Sequence, residues 1–134
     1  MVGYLPIWFV IRGTIAVPLI KFSTAFMSQF FPCPYLNTIV ELTEERWQHI
    51  VETHPGTLPD YLIELEATLA TPDLIRSSDR DPQALLFSKW FETIRTGRYL
   101  VVVVVCQINS PRHWITTTYT ARKITGGQTQ WKNN

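Results

Sequence analysis

Residues 36–134 of this 134-residue chain predict an α+β domain, with two N-terminal helices packed on one face of a four- to five-stranded antiparallel sheet. Three observations carry that expectation. Between residues 43 and 70 apolar side chains recur three and four positions apart, the period of helices that bury one stripe. From residue 73 onward the period drops to two, and β-branched and aromatic residues dominate. The helical signals come first and the strand signals after, which favours a helical layer on one sheet face over alternating βαβ units.

Each element follows from its residues. Leu36 to Leu42 (LNTIVEL) reads as a short edge strand or an extended entry segment. Thr43 then offers an N-cap hydroxyl, with Glu44 and Glu45 in the first turn, where the helix dipole favours anions. Trp47, Ile50, Val51 and His54 form one apolar stripe, and Pro55-Gly56 ends the helix. Thr57 caps a second helix, with Pro59 in its first turn and Asp60 as the return partner of a capping box. Its buried stripe is Leu58, Tyr61, Leu62, Leu65 and Leu69, and Thr71-Pro72-Asp73 stops it. The strands read as Asp73 to Ser78, Ala84 to Phe91, Tyr99 to Cys106, Arg112 to Ile124 and a short return over Gln128 to Lys132. Five consecutive valines in the third of these require burial on both faces.

Composition bounds the class. Hydrophobic residues make up 46% and charged residues 17%, enough apolar surface for one ordinary core and too much for a disordered chain. The formal charge of +1 is unevenly spread. Seven acids (Glu41, Glu44, Glu45, Glu52, Asp60, Glu64, Glu66) face one base, Arg46, across the helical region; seven bases (Lys89, Arg95, Arg98, Arg112, Arg122, Lys123, Lys132) face one acid, Glu92, from Lys89 onward. That polarity either orients the molecule toward an anionic partner such as RNA or lets an acidic helical layer complement a basic sheet. Cys33 and Cys106 stand alone, without CxxC or Cys/His spacing, so neither a zinc site nor a disulfide framework is expected. The expected setting is the reducing cytoplasm.

Residues 1–35 form a separate apolar extension, in which residues 2–32 carry only Arg12 and Lys21 as charges. A transmembrane helix would be interrupted by Arg12, Pro18 and Lys21, and a secretory signal would place its positive charge first. The competing readings are a start at Met27 or a poorly ordered extension, and membrane association through residues 2–32.

No phosphate-binding glycine loop, zinc-helix HExxH or nucleophile elbow occurs. What remains is a set of His, Arg, Lys, Thr and Tyr with few carboxylates nearby. That set suits metal-independent RNA cleavage, which needs a base for the 2′-hydroxyl, cations for the phosphorane and an acid for the leaving oxygen. His49 and His54 lie on different faces of the first helix; His54 reads equally as a core or C-capping residue and His49 as part of a solvated ion-pair face. Along Arg112 to Ile124, alternation places His113, Ile115, Thr117, Tyr119 and Ala121 on one face. Thr117 and Tyr119 then stand about 7 Å apart, within reach of one phosphate or base, although both are ordinary strand formers. Lys89 and Arg98 are the candidate phosphate-binding cations, read alternatively as solvated edge charges. Trp47, Trp90, Trp114 and Trp131 are core or rim aromatics, on one of which a base can stack.

The order ERWQHIVETHPG, LATPDLIR, ALLFSKWF, the valine strand and HWITTTYTARKITGGQTQW resembles small bacterial proteins of the phage-associated group of the Barnase–EndoU–Colicin–RelE-like nuclease superfamily. The resemblance covers roughly residues 36–132. It implies a ribonuclease or toxin-like activity without metal or other cofactor, RNA as substrate, and a cognate antitoxin or immunity protein as partner. The histidine of the first helix falls on His49 or His54, the late Thr-x-Tyr on Thr117 and Tyr119, and the basic sheet residue on Lys89, Arg98 or, less well, Arg112. A non-catalytic RNA- or protein-binding module of the same fold, and a small protein tethered to a membrane, are the alternatives.

Overall fold

In the computed structural model, which describes residues 28–107 and 109–133, the first element is a β-hairpin rather than a helix. The extension through residue 27, with the start-site and membrane readings that depend on it, lies outside the described residues. Strands β1 (Ser28–Cys33) and β2 (Thr38–Thr43) pair antiparallel through a single 3₁₀ turn, Pro34–Leu36. Asn37 closes that turn at φ 57°, a left-handed conformation that asparagine tolerates. Helices α1 (Glu44–Thr53) and α2 (Leu62–Ala70) follow. Strands β3 (Leu74–Ser77), β4 (Ala84–Phe91), β5 (Arg98–Cys106), β6 (His113–Ala121) and β7 (Gln128–Lys132) complete the elements of the described residues.

The expected architecture is therefore corrected. Among the described residues the sheet has seven strands in the order β1-β2-β6-β5-β4-β3-β7, and the two helices are inserted between β2 and β3 instead of preceding the sheet. The sheet is mixed, because β2 runs parallel to β6 where Glu41 faces Trp114. Two features of the chain hid this. Strand β1 lies inside an apolar stretch with two prolines, and shows its alternation only once paired, with Phe31 and Cys33 inward and Phe30 and Pro32 exposed. The β2–β6 pairing joins segments about seventy residues apart, for which no local period exists. Residues 28–35, grouped by sequence with the extension, thus belong to the domain, Ser28–Cys33 as a strand of the sheet and Pro34 and Tyr35 in the turn after it, and LNTIVEL supplies an interior strand covered by β1 rather than an edge.

Helix α1 starts as expected: the Thr43 hydroxyl accepts the Arg46 N–H at 3.2 Å. Helix α2 starts later than its capping box predicted. Residues 57–61 form a turn, in which Tyr61 N–H donates to Thr57 O at 2.9 Å and Leu58 is buried in the core. Ile50 from α1 and Leu65 and Leu69 from α2 pack on Val40 and Leu42 of β2, Phe87 of β4, Leu100, Val102 and Val104 of β5, and Ile115 of β6. That is one face of the sheet. The opposite face carries Arg76, Leu86, Ser88, Trp90, Tyr99, Val101 and Val103, the residues out of phase with the core set.

Candidate active site

A bulge in β6 decides which residues reach the face opposite the helices. Val104 pairs with Ile115 and Val103 with Thr117, leaving Thr116 as an extra residue. The bulge sits where β2 has ended and α1 takes its place along the β6 edge. A strand there would donate an N–H to the Thr116 carbonyl; Arg46 of α1 does so instead, through Nε at 3.0 Å and Nη2 at 2.7 Å. One extra residue inverts the alternation beyond it. Ile115 faces the core, whereas Thr117 and Tyr119 turn to the open face. The alternation expected from sequence, which kept Ile115, Thr117 and Tyr119 together, is corrected at this point. Thr118 now faces inward, fully buried, with its hydroxyl donating to Val101 O at 2.8 Å.

On the open face, Arg76, Leu86, Val103 and Thr117 are successive cross-strand partners on β3, β4, β5 and β6. Three inter-strand spacings separate the ends of this row, about 14 Å between backbones. Together with Tyr119 these residues floor a cleft of about 540 Å³, walled by the β3–β4 turn (Ser78, Asp79, Arg80) and the β6–β7 loop (Thr125, Gly126, Gly127). The two walls are tied together: Gly127 N–H donates to Asp79 Oδ2 at 2.9 Å. Gly127 has φ 72°, and a Cβ there would strike the Ser77 carbonyl, so only glycine fits.

Arg76 gives the cleft its chemical character. It is only 4% exposed, yet no carboxylate lies within ion-pair distance of it among the described residues. Its Nη1 donates to Thr125 O at 2.6 Å and Gly126 O at 2.8 Å, and its Nε has no partner. The Thr117 hydroxyl, on the same floor, is likewise buried and unpartnered. Buried guanidinium groups are normally matched by an anion, because desolvating an unpaired charge is costly. His54 is not part of the cleft lining; it caps the C-terminus of α1, half-buried, with its ring 5.8 Å from the Tyr119 ring, centroid to centroid, at a 34° tilt.

The structure thus brings together Thr117, Tyr119 and His54 and leaves the other candidates elsewhere. His49 is exposed on α1. Lys89 shares the helix-side phase of Phe87, where its Nζ donates to Thr71 O at 2.8 Å and pairs with Asp73 at 3.8 Å. Arg98 is spent on the β4–β5 turn, donating to Gly97 O at 2.7 Å and Arg95 O at 3.2 Å. Arg112 pairs with Glu41 at 3.1 Å and lies 4.9 Å over the Trp114 ring. The sheet cation of the cleft is Arg76, which sequence reasoning passed over. Its one signal was a charge inside a four-residue strand, beside the fully buried Ile75.

Among the described residues, no group of three or more His, Cys, Asp or Glu could hold a metal ion, and no helix is long and apolar enough to cross a membrane. Both cysteines are free; burial pushes each thiol up, with Cys33 adding to the effect on Cys106. Comparison of the chain with protein-family models, with curated proteins and with solved structures finds no match.

Proposed function

We propose that the domain cleaves RNA without a metal ion, as a ribonuclease of toxin-like character. The observation that carries this reading is the buried Arg76 guanidinium, with no carboxylate within ion-pair distance among the described residues, in one cleft with Asp79, Thr117 and Tyr119, the Tyr119 ring in turn neighbouring His54. A phosphodiester supplies the missing anion. In the proposed step the substrate 2′-oxygen attacks phosphorus while His54 takes its proton. The bond from phosphorus to the 5′-oxygen breaks, and Tyr119 donates the proton that the leaving oxygen needs. The products are a 2′,3′-cyclic phosphate and a 5′-hydroxyl. Arg76 offsets the charge that builds on the phosphorane oxygens, and Thr117 donates a hydrogen bond to one of them. The nuclease resemblance noted from sequence points the same way, with His54 rather than His49 as the helix-one histidine and Arg76 as the sheet cation.

The test is single-turnover cleavage of a mixed RNA pool by the full chain in excess chelator. The wild type and His49→Ala are expected to cleave alike. Combined His54→Ala and Tyr119→Phe changes should slow cleavage by at least about 100-fold, the ordinary worth of general acid–base catalysis. Undiminished cleavage by that double variant would sink the assignment. Salt-sensitive RNA binding with no turnover by the wild type would replace it with a non-catalytic binding module.

A further inference from the structure

Of the tryptophans considered above, one stands on the face of the cleft and is partly exposed. Trp90 of β4 is 40% exposed and pairs with Tyr99 of β5, their rings edge-to-face at 5.0 Å. The others are placed differently. Trp47 packs against the core, Trp114 lies under Arg112, and Trp131 lines a separate pocket with Tyr35 and Pro72. Three contacts hold Trp90 in place. Gly97 lies so close beneath its ring that a Cβ would overlap it, Tyr99 abuts it, and its backbone N–H donates to Asp73 Oδ2 at 2.8 Å. That last bond replaces a ladder partner, because β3 begins only at Leu74. The ring is therefore fixed and open at once, the combination a stacking platform requires.

Its register relates it to the cleft. The row Trp90–Tyr99 is followed, two residues along each strand, by the row Ser88–Val101–Tyr119, and then by the row Arg76–Leu86–Val103–Thr117. Rows on one sheet face repeat every two residues, about 7 Å, which matches the stride of an extended single strand. We infer that Trp90 is a base-stacking subsite for single-stranded RNA, holding a nucleobase one to two nucleotides from the phosphate bound at Arg76. The inference rests on the RNA reading of the cleft and adds the substrate class: unpaired RNA of at least two or three nucleotides, with little sequence preference at the stacked base, since every base has a π face. Duplex RNA, whose bases are stacked on one another, is excluded from such a platform.

The test uses the full chain and 2′-O-methyl oligonucleotides of mixed sequence, which lack the attacking hydroxyl and stay intact, with binding read by fluorescence anisotropy. Trp90→Ala is expected to weaken binding about tenfold and Trp90→Phe much less, the usual worth of one stacked base. An oligonucleotide of the same length made wholly of abasic units should bind the wild type and Trp90→Ala equally, a result that a merely structural role for Trp90 would not produce. If the wild type binds the oligonucleotide and Trp90→Ala binds it as tightly, the stacking subsite is overturned and the RNA reading stands. If the wild type neither binds the oligonucleotide nor cleaves RNA, both fail together.

Discussion

Arg76→Met separates the function proposed for this residue from its part in folding. The substitution keeps an unbranched stem about as far as the Nε position and removes the guanidinium with its charge. Two hydrogen bonds from a charged donor are lost, at Thr125 O and Gly126 O, each worth about 1.5–3 kcal/mol. Against that loss, both acceptor residues are exposed, so water can take over at their carbonyls. The fold also no longer buries a guanidinium without a counter-ion, a penalty of several kcal/mol per ion. The terms oppose each other, and urea unfolding should show a net change within about 2 kcal/mol in either direction. Catalysis has no such compensation. Removing a preorganised donor from a developing oxyanion costs about 100- to 1,000-fold in rate. Single-turnover cleavage of a fluorogenic RNA is expected to fall by that factor in a protein that remains folded. Cleavage within about threefold of the wild type would refute the role given to Arg76.

Other consequences follow from the same geometry. Arg46→Ala removes both bonds to the Thr116 carbonyl and should lower stability in urea by about 1.5–3 kcal/mol, with Arg46→Lys between it and the wild type. The same change should slow RNA cleavage, because the bulge that Arg46 holds turns Thr117 and Tyr119 to the cleft. The thiols give a pH signature. Burial raises Cys33 from its ordinary value near 9.0, so the native state favours the protonated thiol. That contribution is complete below the unfolded thiol's pKa and is lost as pH rises through the native one. Between pH 8 and pH 10 the urea midpoint of the wild type should therefore fall further than that of Cys33→Ala; an equal or smaller fall would contradict it.

What sequence made legible was local. Trp47, Ile50 and Val51 announced α1, Leu65 and Leu69 announced α2, and the strand Ala84–Phe91 was bounded correctly at both ends. The topology was not legible, because β1 was masked by the apolar stretch around it and the parallel β2–β6 pairing depends on contacts distant in sequence. The site shows the same division. Thr117 and Tyr119 were singled out as candidates by their spacing, but the face they occupy depends on the bulge at Thr116, whose carbonyl accepts from Arg46, seventy residues earlier. His54 was separable from His49 only once α1 had docked along the β6 edge. Lys89, Arg98 and Arg112 were plausible as cations on strands; each is drawn off by a nearby carbonyl or carboxylate that sequence does not reveal. Arg76 was missed because its significance is a negative one, a buried charge without a counter-ion, and ion pairing is a property of the folded chain.

The central claim is that the cleft floored by Arg76, Thr117 and Tyr119, with His54 beside Tyr119, cleaves RNA by internal attack of the 2′-hydroxyl. The chemistry of the product ends tests it most directly. An RNA oligonucleotide incubated with the full chain in excess chelator, and analysed by mass spectrometry, should yield fragments ending in 2′,3′-cyclic phosphate or its hydrolysed monoester, with 5′-hydroxyl partners. A 2′-deoxy substitution at the cut position should abolish that cut. Intact RNA after prolonged incubation, or fragments carrying 5′-phosphates and 3′-hydroxyls, would contradict the account.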